Sequence, residues 1–163
     1  MSMQVLILCG SASDLEVVGG AARTLKEFGA AYALHVASAH RTPERVRELV
    51  AGAEKEGCRA IIAAAGLSAH LAGVVAGMTL LPVIGVPLAA GPLGGRDALL
   101  ATVQMPPGVP VATMAIGAAG ATNAALFALQ ILALNDPALR AKLLAARKAQ
   151  AEKVLASDPA ERG

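Results

Sequence analysis

Ser38, His40 and Arg41 lie within four positions of one another in the stretch V-A-S-A-H-R-T-P-E, residues 36–44. An arginine stays charged at any working pH and can bind a phosphate at two points through its planar guanidinium. His40 is one of only three histidines in the chain, and an imidazole gains and loses a proton near neutral pH. The stretch therefore predicts a phosphate-binding loop with a proton-transfer group beside it, although an exposed histidine without a role is the plainer alternative.

Two other loops combine small and polar residues beside a predicted helix start. G-S-A-S-D, residues 10–14, offers hydroxyls and backbone amides to an anion, and Asp14 can accept hydrogen bonds from a ribose diol. Serine and aspartate are also ordinary helix caps, so this loop alone does not define a site. G-L-S-A-H-L-A-G, residues 66–73, contains His70, which fits either a ligand contact or packing at a helix start. His35 lies inside a predicted strand and is interpreted as structural.

The elements that carry these loops alternate between short apolar runs and helical patterns. Because parallel strands need a crossover connection, strict alternation predicts a parallel sheet with helices on both faces, a three-layer α/β sandwich. Ligands bind such sheets beyond the carboxyl ends of the strands, where all three polar loops stand. The expected strands are residues 4–9, 31–37, 59–65, 82–86 and 109–116, the last at an edge because of Pro110. The expected helices run from a cap at Ser13 or Asp14 to about 28, and over 42–57, 68–78, 94–104, 119–134 and 137–155, the last amphipathic.

Composition favours one domain that buries apolar surface against other subunits. The 163 residues fit a single catalytic domain, 1–163, with a frayed tail from about residue 156. The mean hydropathy is +0.58, yet no apolar run reaches the roughly 18 residues of a membrane span. No secretion signal is recognised at the start, which favours a cytoplasmic location and no membrane partner. The helix expected at 119–134 is apolar on nearly every side and needs covering, which predicts a homo-oligomer.

Several function classes are disfavoured by the residues present. A net charge of +2 with mixed signs and only three aromatic side chains argue against nucleic-acid binding. Cys9 and Cys58 lie beside apolar runs and are predicted to be buried free thiols, not a disulfide or a metal site. Neither a dinucleotide fingerprint nor a P-loop motif occurs, and no histidine–carboxylate cluster has metal-ligand spacing. Flavin binding fits the fold, but almost no aromatic side chain is available to stack on the ring.

Six stretches of the chain point together to one family. In order they are G-S-A-S-D, S-A-H-R-T-P-E, A-H-L-A-G, L-P-V-I-G-V-P, V-Q-M-P-P-G-V-P-V-A-T-M-A-I-G and N-A-A-L-F-A-L-Q-I-L-A, between about residues 4 and 155. The sequence resembles the 5-(carboxyamino)imidazole ribonucleotide mutases, the bacterial class I PurE family and catalytic subunit of phosphoribosylaminoimidazole carboxylase. The resemblance implies a flavodoxin-like fold whose C-terminal helices serve oligomerisation, and a homo-octamer with active sites at subunit junctions.

The resemblance also implies an isomerase of purine (IMP) biosynthesis. Such an enzyme moves a carboxylate from the exocyclic nitrogen of an aminoimidazole nucleotide to the neighbouring ring carbon without metal, biotin or ATP, so no cofactor is expected. The implied steps are decarboxylation, retention of carbon dioxide in a closed pocket, recapture by the ring carbon and loss of the ring proton. A transient contact with the carboxyaminoimidazole ribonucleotide synthase is also expected.

The same resemblance assigns roles to residues. His40 would carry the ring proton and His70 would act with it as a second catalytic residue. Ser38 and Arg41 would hold the 5′-phosphate. The residues implied in substrate binding are Ser11, Ser13, Asp14, Ser38, Ala39, Arg41, Gly66, Leu67, Ser68 and Ala69, with Ser13 assisting at the phosphate, Ser11 and Asp14 at the ribose, and the 66–73 loop at the base.

One loop departs from the family pattern and leaves the carboxyl donor open. The usual mutase loop reads G-G-A-A-H-L-P-G, so Leu67 replaces a glycine and Ala72 a proline. A sister class carboxylates free aminoimidazole ribonucleotide directly and has a loop like G-R-S-N-x-L without the histidine. His70 favours the mutases and Ser68 the sister class. A non-catalytic nucleotide-binding module is the third alternative, whereas a pure assembly protein is disfavoured by the polar residues at three strand ends.

Overall fold

A parallel five-stranded sheet in the order β2-β1-β3-β4-β5 forms the centre of the computed structural model, which describes residues 3–159. This is the flavodoxin-like strand order, and the predicted fold class is confirmed. The strands are β1 (Val5–Cys9), β2 (Tyr32–Val36), β3 (Ala60–Gly66), β4 (Val83–Leu88) and β5 (Ala112–Thr113). The helices are α1 (Leu15–Phe28), α2 (Pro43–Lys55), α3 (Leu71–Ala76), α4 (Arg96–Val103), α5 (Ala118–Ala133) and α6 (Pro137–Ala156).

Alternate residues of β1 pack against opposite layers of helices. Val5, Ile7 and Cys9 belong to the apolar cluster that includes residues of α1 and α5. Leu6 and Leu8 belong to the cluster that includes residues of α2 and α3. Because both faces are covered, the strand is a continuous apolar run and not an alternating one. These clusters are the two cores of the three-layer sandwich.

Hydrogen bonds fix the start of the second site loop. The Thr42 backbone N–H donates to the Ser38 carbonyl at 2.9 Å. The Ser38 N–H donates to the Thr42 hydroxyl at 2.9 Å, and that hydroxyl lies 3.2 Å from the Ser38 carbonyl oxygen. Pro43 follows as the first residue of α2, where its missing N–H costs nothing. Hydrogen bonds between Ser38 and Thr42 therefore tie this loop to the start of α2.

The cap predicted for α1 differs in detail. Asp14 occupies the N-cap position but makes no side-chain capping bond. A short 3₁₀ turn, Ala12–Asp14, precedes the helix instead, and the Ser11 hydroxyl accepts from the Ser13 N–H. The carboxylate of Asp14 is thus not consumed by capping and faces the site described below.

Two expected elements are shorter than the sequence predicted. The strand predicted over 109–116 is reduced to Ala112–Thr113, which pairs with β4 alone. It does lie at the sheet edge, where Pro110 can be tolerated because it has no N–H to give to a ladder. The helix predicted over 68–78 begins only at Leu71, because the preceding residues form tight turns.

The C-terminal helix packs on this subunit only through its first part. In α6 only Leu139 is buried, whereas Leu144, Val154 and Leu155 are exposed. The predicted amphipathic pattern is therefore not matched by a buried face within one subunit. No helix of the described residues is long and apolar enough to cross a membrane. The frayed tail predicted from about residue 156 includes residues 160–163, which lie outside the described residues.

Candidate active site

A cavity of about 470 Å³ lies at the carboxyl ends of β1, β2 and β3. Every predicted site residue except Ala69 and His70 contributes to its wall. The residues that sequence reasoning missed are small or apolar and carry no chemical signal. The wall consists of Gly10, Ser11, Ser13, Asp14, Ser38, Ala39, His40, Arg41, Ala65, Gly66, Leu67, Ser68, Leu71 and Ala90.

Arg41 joins the first loop to the second. Its Nη2 donates to the Gly10 carbonyl at 2.7 Å, and its Nε donates to the Ser38 hydroxyl at 3.3 Å. The Arg41 backbone N–H donates to the same hydroxyl oxygen, also at 3.3 Å. A guanidinium has five N–H donors, so the side chain is fixed in the wall while it retains capacity to bind an anion.

The first loop presents two hydroxyls and a carboxylate together. The Ser13 hydroxyl donates to the Ser11 Oγ at 2.9 Å and lies 3.4 Å from Asp14 Oδ1. Partial burial raises the pKa of Asp14, while hydrogen bonds within the turn and the positive charge of Arg41 act in the opposite direction. Because burial disfavours the charged carboxylate, donors on a ligand such as ribose hydroxyls would stabilise it.

The two loop histidines are in direct contact. His40 Nε2 lies 2.9 Å from His70 Nδ1, and the rings meet edge to face with centroids 5.0 Å apart and planes at 85°. A neutral imidazole has one donor and one acceptor nitrogen, so the contact requires one ring to donate and the other to accept. His40 lines the cavity, whereas His70 lies outside its wall and contacts His40. His35 lies in β2 opposite Leu8, apart from this pair.

The third loop combines an unusual backbone with a buried alanine. Leu67 has φ +55°, the only positive φ at a non-glycine residue within the described part of the chain. Ala69 is 1% exposed, and its N–H donates to the Leu67 carbonyl at 2.8 Å. The structure thus places Ala69 behind the wall, where it supports the turn that leads to His70.

The thiol nearest the site is not suited to nucleophilic chemistry. Burial, with a smaller contribution from the Asp14 charge, raises the pKa of Cys9 to about 11, and the reactive form of cysteine is the thiolate. Cys9 and Cys58 are both buried free thiols, as predicted. Within residues 3–159, no group of three or more histidine, cysteine or acidic side chains could hold a metal ion.

Comparisons with known proteins show what the sequence and the fold are similar to. The sequence model of the AIR carboxylase family matches residues 4–153. The N5-carboxyaminoimidazole ribonucleotide mutase of Brucella melitensis is 53% identical over 154 residues, which are 94% of this chain and 95% of that protein. The mutase of the same name from Methanocaldococcus jannaschii is 51% identical over 94% of each chain. The crystal structure of Treponema denticola PurE superposes with a TM-score of 0.88 at 30% identity, covering 98% of this chain and 99% of that one.

Proposed function

This chain belongs to the AIR carboxylase family, and we propose that it is an N5-carboxyaminoimidazole ribonucleotide mutase of purine biosynthesis. It would convert 5-(carboxyamino)imidazole ribonucleotide into 4-carboxy-5-aminoimidazole ribonucleotide. One observation carries the proposal: a relative of that name is 53% identical over nearly the full length of both chains. The three loops that join around one cavity supply the chemistry such a reaction needs.

The polar side of the cavity would hold the sugar phosphate. Arg41 and Ser38 provide a charged donor and a hydroxyl held 3.3 Å apart, and Ser13 would add a second hydroxyl for the 5′-phosphate. Ser11 and Asp14 would bind the ribose, because a carboxylate accepts the hydrogen bonds that a diol donates. Binding energy from the remote phosphate would then position the base against His40.

The reaction needs one proton carrier and a closed apolar space. As the bond between the exocyclic nitrogen and the carboxylate breaks, its electron pair returns to the nitrogen and carbon dioxide is released into the cavity. The neighbouring ring carbon then attacks the carbon dioxide, the proton on that carbon passes to His40, and the nitrogen takes up one proton in exchange, so that the imidazole returns to its starting state. The imidazole lies in the wall, and the contact between its Nε2 and His70 Nδ1, in which either ring can donate, would hold the ring in place.

A second copy of this chain would complete the assembly. A groove of about 710 Å³ runs between α5 and α6, with Leu126, Phe127 and Leu143 in its wall. Leu134 is 81% exposed at the end of α5. We expect another subunit to cover this surface, so that the C-terminal helices build a homo-octamer; light scattering of the purified protein gives the subunit number. The cytoplasmic location, the synthase contact and the single catalytic domain stay predictions.

A pair of assays with one variant tests the function. The purified protein is given 5-(carboxyamino)imidazole ribonucleotide at low bicarbonate, and in parallel aminoimidazole ribonucleotide with bicarbonate. Turnover of the carboxyamino compound that is lost in His40→Asn supports the mutase. Turnover of aminoimidazole ribonucleotide alone would identify a direct carboxylase, and nucleotide binding with no turnover in either assay would leave a binding module.

A further inference from the structure

Two loops beside the cavity interlock through matched pairs of glycines and side chains. A Cβ placed on Gly66 would lie 2.6 Å from the Cβ of Ala90, and one placed on Gly91 would lie 2.6 Å from Cδ2 of Leu67. Each loop therefore inserts a side chain where the other has a glycine. The two loops lie at the ends of β3 and β4, which are neighbours in the sheet, and Gly66, Leu67 and Ala90 of the interlock form part of the cavity wall.

Leu67 adopts its conformation at a cost. A residue with a side chain rarely takes the left-handed region in which glycine is at ease, yet Leu67 has φ +55°. Core burial does not compensate, because the side chain is 51% exposed. What the side chain does have is contact with Gly91 and a place in the cavity wall. The strained residue thus lies in the cavity wall, and functional sites are where such backbone outliers cluster.

The cavity wall combines polar and apolar residues. Arg41, Ser11 and Asp14 bring charge and hydroxyls to it, whereas Leu67, Ala65, Leu71 and Ala90 contribute hydrocarbon. Carbon dioxide is uncharged and has no donor groups, so an apolar, water-free surface suits its retention. Leu67 is also linked to the histidine pair through the backbone. Its carbonyl accepts a hydrogen bond from the N–H of Ala69, which precedes His70 in the chain.

We propose that Leu67, for whose side chain Gly91 leaves room, is a positioning residue that retains carbon dioxide between its release and its recapture. The inference rests on the proposed function. In the retained path the carbon released from nitrogen bonds the ring carbon, the ring proton goes to His40, and the nitrogen takes up one proton in exchange. In the competing path the nitrogen takes up a proton, carbon dioxide escapes, and aminoimidazole ribonucleotide remains.

Label retention measures the partition between these paths. The full-length protein receives substrate carrying a ¹³C carboxylate in unlabelled bicarbonate, and mass spectrometry gives the ¹³C fraction of the ring-carboxylated product; a blank without enzyme corrects for spontaneous loss. In Leu67→Gly we expect the ratio of lost to retained label to rise roughly tenfold, as a misplaced wall allows escape. Leu67→Met retains the hydrocarbon and should keep the wild-type ratio of lost to retained label. Leu93→Gly is the control at an exposed leucine outside the cavity wall.

Gly91 provides an independent arm with its own matched control. An added methyl at Gly91 forces the Leu67 side chain to swing away, so Gly91→Ala should lose label as Leu67→Gly does. Gly94 lies in the same loop with φ +60°, but a Cβ there would meet nothing within 4 Å. Gly94→Ala therefore carries a similar backbone cost without the clash and should retain label. In the Leu67→Gly background, Gly91→Ala should add little, because its clashing partner is gone.

The outcomes separate the inference from the function beneath it. Glycine suits the backbone at position 67, so Leu67→Gly should fold, which a thermal melt checks. Unchanged label retention in Leu67→Gly and Gly91→Ala, with an active wild type, overturns the inference alone. A fall in kcat without a change in partition also overturns it, since a merely structural role would give that result. A wild type that forms no ring-carboxylated product overturns the proposed function and this inference with it.

Discussion

Replacing each of the three histidines by asparagine in turn separates proton transfer from positioning. His40 lines the cavity, so His40→Asn removes the group that would accept the ring proton. Loss of a general acid–base group costs about 10²- to 10⁴-fold in rate, or about 2.7–5.4 kcal/mol of transition-state stabilisation at ~1.36 kcal/mol for each factor of ten. His40→Asn should therefore lower kcat by that factor while substrate still binds, because the donors on Arg41 and Ser38 that we propose for the phosphate are untouched.

His70→Asn should have a smaller effect. His70 contributes one hydrogen bond to His40, 2.9 Å long, and lies outside the cavity wall. A single hydrogen bond has a net value of about 0.5–1.5 kcal/mol, which corresponds to roughly 2- to 13-fold in rate. His35→Asn is the matched control for the substitution itself, since His35 lies in β2 away from the pair, and its kcat should stay near that of the wild type.

The assay follows formation of the ring-carboxylated nucleotide from 5-(carboxyamino)imidazole ribonucleotide under saturating substrate, with binding measured separately by calorimetry. We expect the loss of kcat to be much larger for His40→Asn than for His70→Asn, and larger for His70→Asn than for His35→Asn. A His40→Asn enzyme within threefold of the wild type would refute the assignment of the proton to His40. A larger loss at His70 than at His40 would mean that His70 touches the reacting atoms, and its assignment as a positioning residue would be wrong.

Further perturbations test the energetics around the site. Burial raises the pKa of Asp14, so the folded state loses stability as pH rises above the pKa of about 3.9 that this carboxyl has in the unfolded chain. The melting temperature of Asp14→Asn relative to the wild type should therefore be higher at about pH 7 than at about pH 3.5. A difference that does not depend on pH contradicts this. With the pKa of Cys9 at about 11, a thiol reagent at about pH 8 should modify it over 100-fold more slowly in native than in urea-unfolded protein; equal rates would show that the thiol is accessible. A methyl at Gly120 would lie 1.7 Å from the Ala115 carbonyl oxygen, so Gly120→Ala should lower the free energy of unfolding by about 3 kcal/mol. A methyl at Gly52 would have no neighbouring atom within 4 Å, so Gly52→Ala in α2 should stabilise by up to ~1 kcal/mol in the same urea titration, and equal effects of the two substitutions would refute the steric argument.

The meeting of the three polar loops was predictable because topology alone enforces it. Parallel strands all end at one edge of the sheet, so polar residues after β1, β2 and β3 had to converge. The continuous apolar run of β1 likewise predicted burial on both faces. These inferences depend on local pattern and on a rule of connection, and both are written in the sequence.

Features that depend on contacts between distant segments were not predictable. The extent of β5 depends on how far β4 can pair with it, and α6 leaves Leu144, Val154 and Leu155 exposed although its sequence pattern predicts an amphipathic helix. The apolar part of the cavity wall was not predicted from the sequence, for a different reason. Residues such as Ala65 and Ala90 look like core residues in a sequence, since nothing in an alanine distinguishes packing from lining.

Leu67 shows how a departure at the sequence level acquires a physical meaning. The family pattern has glycine at this position, and the structure shows why, because the backbone there takes φ +55°. This chain places a leucine in a conformation made for glycine, and the missing side chain of Gly91, which itself has φ +74°, leaves room for Cδ2 of the leucine. Departures from a local rule are expected at functional sites. Since the side chain is half exposed and lies in the cavity wall, it supports the proposal that Leu67 acts in the site and not in the core.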